Sequence, residues 1–104
     1  MSYIVTHRYG SDVRDPPLST LPELLAELDS RLEDIEHTCV SLTHESEWCL
    51  SAYRDGLLIF EHLERRGERH MKGVPREKII DLWKLLAVGD VARVEREPWI
   101  AGYG

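Results

Sequence analysis

Histidine and cysteine are the residues of this sequence best suited to metal binding or nucleophilic catalysis. The 104 residues contain five histidines, which are His7, His37, His44, His62 and His70. They form no HExxH motif, the cysteines form no paired CxxC motif, and no EF-hand loop is present. His62 and His70 flank a predicted hairpin and could approach each other, but a metal site needs three or four converging ligands. The sequence therefore predicts no metal site.

The two cysteines, Cys39 and Cys49, lie in predicted strands, where nothing in the pattern favours the reactive thiolate form. Two cysteines are too few for a disulfide scaffold. The strand register described below places them diagonally on one face, roughly 7–8 Å apart, whereas a disulfide needs Cα atoms about 4.4–6.8 Å apart. Because this separation is too long for a disulfide, we expect two free thiols. GxSxG, Walker and GxGxxG motifs are also missing, so we expect no catalytic residue and no cofactor.

Charge is the strongest signal in the composition, because the formal net charge is −6. A negative chain repels nucleic acid and anionic lipid surfaces. Between Glu23 and Glu47 eight acids accompany one base, Arg31, whereas between Glu61 and Lys78 six bases accompany four acids. The pattern predicts either an electrically two-sided molecule or two ordinary solvated surfaces.

The basic segment 61–78 lacks the interleaved aromatic residues on which nucleic-acid bases stack, so we expect no direct nucleic-acid binding. Its bases are Arg65, Arg66, Arg69, Lys72, Arg76 and Lys78. No run of about 18 apolar residues exists, so no membrane span is expected. The first residues lack a basic segment followed by an apolar one, so we predict no secretory signal and a cytoplasmic location.

The sequence pattern assigns the first part of the chain to one strand and one helix. Residues 3–9 are rich in β-branched and aromatic residues, as strands are, and Gly10-Ser11-Asp12 ends this run. Residues 14–17 are expected to form a loop, because residues before proline avoid the helical region. Apolar residues then recur at spacings of three and four, which predicts an amphipathic helix over residues 21–34 with an acidic exposed face.

Residues 38–43 and 48–53 alternate with the period of two that is typical of half-buried strands. Placing their apolar side chains on one face puts Leu42 opposite Trp48, with a five-residue connection between the strands. The register predicted in this way fixes the expected separation of the two cysteines.

Two turns are predicted in the next segment. Asp55-Gly56 is typical of a two-residue hairpin turn in which both residues have positive φ. Residues 57–63 form the following strand, and Arg66-Gly67 is expected to lead into a short strand near residues 68–71, at or near an edge of the sheet.

A second helix is predicted from Pro75 to Gly89, with Trp83 on its apolar side, and residues 91–95 are expected to form a last strand. The element order is β-α-β-β-β-β-α-β, in a single α+β domain over residues 1–104. We expect an antiparallel meander of about four to six strands with two amphipathic helices on one face.

Two features of the sequence are suited to binding another protein. The acidic helix face would attract a basic partner and speed the encounter. Trp99, in the predicted tail, either folds back onto the domain or offers an exposed anchor to a partner. The predicted partner-binding residues are Glu23, Glu27, Asp29, Glu33, Asp34, Glu36 and Trp99.

Four short features follow one another loosely over residues 20–99. They are the strand end and turn Tyr53-Arg54-Asp55-Gly56-Leu57, the helix start Val74-Pro75, the helix end Gly89, and a short strand leading to Pro98-Trp99. This succession resembles the Imm1-type bacterial immunity proteins, which neutralise toxins of neighbouring or sibling cells. The resemblance implies a non-catalytic inhibitor that binds and occludes a toxin.

The sequence therefore predicts a non-catalytic protein-binding module, an immunity-type inhibitor that neutralises a basic bacterial toxin, such as a nuclease, through an acidic face. Three alternatives stay open. One is a phage-encoded or host regulator that mimics nucleic acid and inhibits a nucleic-acid enzyme. Another is a structural homodimer joined through a strand edge or Trp99. The third is an enzyme whose site matches none of the motifs above, which a deep pocket with two or more perturbed ionisable groups would favour.

Overall fold

The computed structural model of the protein describes residues 2–30 and 38–104. Its strands are β1 (Tyr3–Thr6), β2 (Asp12–Arg14), β3 (Cys39–His44), β4 (Trp48–Tyr53), β5 (Leu58–His62), β6 (Arg69–Met71) and β7 (Ile100–Ala101). Its α-helices are α1 (Leu21–Ala26), α2 (Arg76–Ala87) and α3 (Val91–Glu95), with 3₁₀ turns at Leu18–Thr20 and Glu27–Asp29. No helix among these residues is long and apolar enough to cross a membrane.

The strands form one antiparallel sheet of seven, in the order β2-β1-β3-β4-β5-β6-β7. From β3 to β7 each strand pairs with the next one along the chain, and β1 pairs with both β2 and β3. The predicted α+β class and the antiparallel meander are confirmed, with one strand more than the largest number expected.

The helices cover one face of the sheet. Alternation places Val5, Leu42, Leu50 and Phe60 in one row across four strands, and each is at most 2% exposed. Trp83 of α2 is fully buried, as predicted, and its indole N–H donates to the Leu50 carbonyl oxygen at 3.0 Å. The remaining helical residues of this core are Leu21, Leu24, Leu25, Leu28, Ile79, Leu82, Leu86, Ala87 and Val94. Burial of these apolar side chains is the main driving force for folding.

The first predicted strand, over residues 3–9, is wrong in its second half. β1 ends at Thr6, and the chain reverses through Gly10, whose φ of +94° favours glycine. β2 then pairs back on β1 with Thr6 opposite Asp12. Arg14, predicted to begin a loop, is the last residue of this strand. The sequence pattern gives no sign of β2 because its three residues are all exposed.

The first helix is much shorter than the predicted residues 21–34. α1 ends at Ala26, a 3₁₀ turn follows, and Ser30 is extended with a ψ of 154°. The Arg8 guanidinium donates to the carbonyl oxygens of Glu27, at 3.0 Å, and of Ser30. These hydrogen bonds satisfy carbonyl groups that would otherwise continue the helix. The remaining predicted helical positions lie outside the described residues.

The register of β3 and β4 differs from the predicted one by two residues. Leu42 faces Leu50 rather than Trp48. Consequently β3 continues to His44, and three residues rather than five connect the strands, ending at Glu47 with a φ of +74°. An even shift keeps every side chain on its predicted face, so the predicted facial assignment is correct although the pairing is not.

The Asp55-Gly56 hairpin is present, but its turn is not the two-residue type. Gly56 has a φ of +87°, whereas Asp55 is not among the residues with positive φ. The Tyr53 N–H donates to the Leu57 carbonyl oxygen at 2.9 Å, so the loop has three residues. A type I turn followed by a left-handed glycine is the usual form of this loop.

The last predicted strand, over residues 91–95, is the helix α3. The Asp90 carboxylate accepts a hydrogen bond from the Arg93 N–H at 3.3 Å and acts as an N-cap. The final strand is β7, which lies in the segment predicted to be a tail. The predicted helix from Pro75 to Gly89 corresponds closely to α2.

Candidate functional site

No described helix packs on the face of the sheet opposite α1, α2 and α3, and we call this surface the open face. Strand register aligns its side chains in two rows across the sheet. The row nearer the β3–β4 turn consists of Arg14, Ile4, Thr43, Cys49 and Glu61. The second row consists of Asp12, Thr6, Ser41, Ser51, Ile59 and His70.

Small hydroxyl and thiol side chains form the middle of the open face. The Cys49 sulfur lies 3.7 Å from the Ser51 hydroxyl oxygen and is buried. Burial raises the pKa of the Cys49 thiol, although hydrogen bonds with Thr43 and Ser51 oppose this shift. A raised pKa favours the protonated thiol over the thiolate, which is the nucleophilic form.

A cavity of about 480 Å³ opens at the end of the open face next to the β3–β4 turn, and we call it the groove. β2 bounds the groove on one side, and Leu63, which follows β5, bounds it on the other. Its lining residues are Ser2, Tyr3, Ile4, Thr6, Asp12, Arg14, Thr43, His44, Glu45, Glu47 and Leu63. Volumes of about 300–1,000 Å³ are typical of sites that bind small groups.

Three carboxylates and one guanidinium line the groove. Asp12 accepts a hydrogen bond from the Thr6 hydroxyl at 2.8 Å, which fixes its carboxylate. Within residues 2–30 and 38–104, Glu45 and Glu47 make no ion pair. The groove therefore carries an excess of negative charge that Arg14 offsets only in part, and such a site attracts cations.

The last residues of the chain bound the other end of the open face. The Tyr103 hydroxyl donates to a carboxylate oxygen of Glu61 at 2.7 Å, and this hydrogen bond raises the pKa of Tyr103. His70 Nδ1 lies 3.0 Å from the Gly102 carbonyl oxygen, which can only accept, so Nδ1 carries a proton.

Burial, followed by the influence of Cys39, raises the pKa of Tyr53 to about 12.

The predicted acidic helix face is partly occupied by contacts within the chain. Glu23 is exposed. Glu27 lies 2.6 Å from Nδ1 of His7. Asp29 accepts two hydrogen bonds of 2.7 Å from the guanidinium of Arg76, which lower the pKa of Asp29. The other predicted acids, which lie outside the described residues, are Glu33, Asp34 and Glu36.

Trp99 folds back onto the domain. Its ring stacks on Phe60 at a centroid distance of 5.1 Å, and its N–H donates to the Val94 carbonyl oxygen at 2.8 Å. Trp48 stacks on Phe60 at 4.7 Å, and the Arg69 guanidinium lies 4.9 Å from the Phe60 centroid. Trp99 is half-buried in this stack, which leaves only part of its ring available to a partner.

Several bases of segment 61–78 also interact within the chain. Besides Arg69 over the aromatic rings and Arg76 on Asp29, the Lys78 ammonium lies 2.6 Å from Glu97. Arg65 and Arg66 are exposed at the β5–β6 turn. Arg65, Arg66 and Lys72 are the exposed bases of the segment that make no ion pair within the described residues.

The histidines and cysteines considered above for metal binding or catalysis lie apart from one another in the structure. His62 and His70 lie on opposite faces of the sheet. No group of three potential ligands in the described residues could hold a metal ion. Both cysteines are free, and Cys39 pairs with Tyr53, four residues along β4 from Cys49. Four residues along the strand and one step across to the neighbouring strand put them roughly 14 Å apart, not at the shorter diagonal distance predicted.

The sequence pattern did not identify the groove. The sequence pattern assigns Asp12 and Arg14 to a turn and a loop, and it assigns Glu45 and Glu47 to the connection between two strands. The available signal was the run of small polar residues that alternates through β3 and β4 (Thr43 and Ser51 among them), because a row of small side chains leaves space above a sheet.

Comparison with known proteins gives no relative for this chain: no protein-family model matches it, and no curated protein or solved structure is significantly similar to it.

Proposed function

We propose that this chain is a non-catalytic domain that binds a basic protein and blocks it, as an immunity-type inhibitor neutralises a bacterial toxin. The observation that carries the proposal is the groove in the open face, where Glu45 and Glu47 are free of ion pairs within the described residues. Carboxylates that no cation of their own chain neutralises are available to a cation of a partner.

The charge of the chain supports a basic partner. The net charge of −6 produces a field that attracts positively charged proteins and repels nucleic acid. A nuclease toxin is a suitable partner, because its own active site must attract phosphate groups and is therefore basic. Binding over that site would exclude the nucleic acid.

The acidic helix face has a secondary role in this proposal. Glu23 is accessible, whereas Glu27 and Asp29 already interact with His7 and Arg76. These acids contribute to long-range attraction, which governs the rate of encounter more than the strength of the complex. The open face makes the direct contacts.

Affinity capture with the immobilised chain tests the proposal. From an extract of the source organism at low salt, wild type should retain a basic protein, and about 300 mM salt should release it because exposed charges are then screened. The purified partner should lose its own activity when the chain is added in equimolar amount. A retained protein that is acidic, or one whose activity is unchanged, would contradict the proposal. Light scattering of the isolated chain checks that self-association does not occupy the open face.

A further inference from the structure

We infer that the groove receives an arginine side chain from an extended basic segment of the partner. This inference rests on the proposed function and adds the place and chemistry of the contact. The open face is the side of the sheet on which no described helix packs, and in the groove carboxylates without an ion pair to any described residue meet apolar side chains.

The charged residues that line the groove favour a positively charged ligand. Asp12, Glu45 and Glu47 line the groove against a single base, Arg14. Asp12 is oriented by the Thr6 hydroxyl at 2.8 Å, so its carboxylate is in place before a ligand arrives. An anion would face three carboxylates, whereas a cation gains attraction from all of them.

Hydrogen-bonding geometry favours arginine over lysine. The acceptors that line the groove come from different elements, namely Asp12 from β2, Thr43 from β3, and Glu45 and Glu47 from the β3–β4 turn. A guanidinium has five N–H donors in a plane and can serve acceptors on several sides at once, whereas an ammonium is a compact point charge.

Apolar side chains complete the match. Leu63 is 54% exposed at the edge of the groove, and Ile4 is half-buried in it. The methylene groups of an arginine side chain pack along such surfaces while the charged end reaches polar groups. Contact with these methylene groups would explain why the apolar side chain of Leu63 is exposed.

Binding of short peptides measured by NMR tests this inference. The probe is an acetylated five-residue peptide of alternating glycine and arginine, compared with matched lysine and glutamate peptides. Amide signals of Ile4, Thr43, Glu47 and Leu63 should shift with the arginine peptide, more weakly with the lysine peptide, and not with the glutamate peptide. Shifts centred on Glu23, equal binding of the lysine peptide, or no shifts would overturn the inference.

A pair of charge-matched double variants locates the contact. Glu45→Gln with Glu47→Gln should weaken binding of the arginine peptide by about fivefold, the expected loss for two exposed ion pairs. Asp81→Asn with Glu95→Gln changes the net charge equally on the helix side and should have little effect. Glu45, Asp81 and Glu95 are exposed and Glu47 is half-buried, and urea midpoints near wild type should show that the variants fold. Equal weakening by both variants would overturn the groove as the site.

The same variants separate this inference from the proposed function. If wild type captures and blocks a basic protein and the groove variant does so equally well, the groove inference fails and the proposed function stands. If the arginine peptide binds in the groove but no basic protein is blocked, the proposed function fails alone.

Discussion

Arg8 is 3% exposed, although arginine side chains are rarely buried without partners. Its backbone N–H donates to the Glu27 carboxylate at 3.1 Å, and its guanidinium donates to the carbonyl oxygens of Glu27 and Ser30. One side chain next to β1 therefore fixes the point at which the first helical segment ends. Lysine would not replace it well, because an ammonium lacks the planar fork of donors.

Arg8→Met should lower the free energy of unfolding by about 2–3 kcal/mol, because the Glu27 and Ser30 carbonyl groups lose a charged donor. Urea unfolding measures the change. Arg93→Met is the matched control, since the Arg93 side chain is 61% exposed, and its effect should stay within about 0.5 kcal/mol. Equal effects of the two substitutions would show that the Arg8 hydrogen bonds do not stabilise the fold.

Tyr53→Phe should change the response to alkaline pH. The pKa of Tyr53 is raised to about 12, from about 10 for a free tyrosine. The folded chain thus keeps a proton that the unfolded chain releases, so this contribution to stability is complete below about pH 10 and is lost as the pH rises toward 12. The variant should lose one tyrosinate step near pH 12 in an absorbance titration and lose less stability over that range. Identical titration curves would contradict the assignment.

At the scale of elements, two segments approach closely where the β4–β5 turn meets the start of α2. A Cβ atom on Gly56 would lie 3.1 Å from both the Gly73 Cα and the Val74 nitrogen. The Val74 N–H also donates to the Gly56 carbonyl oxygen at 3.0 Å. The turn therefore sets the position of α2 as well as the register of the hairpin.

Gly56→Ala should destabilise the protein much more than Gly67→Ala. Both glycines have positive φ, +87° and +112°, but a Cβ on Gly67 would meet no atom within 4 Å. Gly67→Ala should cost about 1 kcal/mol from backbone strain alone, and Gly56→Ala about 2 kcal/mol more from steric overlap. Thermal unfolding of both variants measures the difference, and similar transition temperatures would exclude the overlap.

The central strands and α2 could be predicted because their periodicity is long enough to decide between a helix and a strand. α3 could not, since residues 91–95 are too few for periodicity to decide, and the carboxylate of Asp90 caps a helix there. β2 could not be predicted either, because its residues show no apolar pattern and it is a strand only through its pairing with β1.

The groove could not be predicted from the sequence for a related reason. Its carboxylates come from positions 12, 45 and 47, and only the pairing of β1 with both β2 and β3 brings them together. Predicting it required the register of strands distant in sequence, which turn lengths and local pattern do not determine. The facial alternation of β3 and β4 was predictable and correctly placed the small residues opposite the core.

At the scale of the whole molecule, the net charge of −6 should make association with a basic partner depend on salt. The association rate constant should fall by about tenfold between about 50 and 300 mM salt, whereas the dissociation rate should change little, because screening acts mainly on the encounter. Stopped-flow fluorescence with the captured partner measures both. An association rate independent of salt would mean that charge does not guide the complex.

The position of β7 has a consequence for synthesis of the protein. A ribosome makes Ile100 and Ala101, which pair with β6, after the residues of β1 to β6, and the neighbouring Trp99 supplies the ring that stacks on Phe60. Until they emerge, β6 is an edge with unpaired backbone groups, which readily pair with other chains. A product that stops before residue 99 therefore exposes the β6 edge to pairing with other chains, which β7 prevents by occupying that edge.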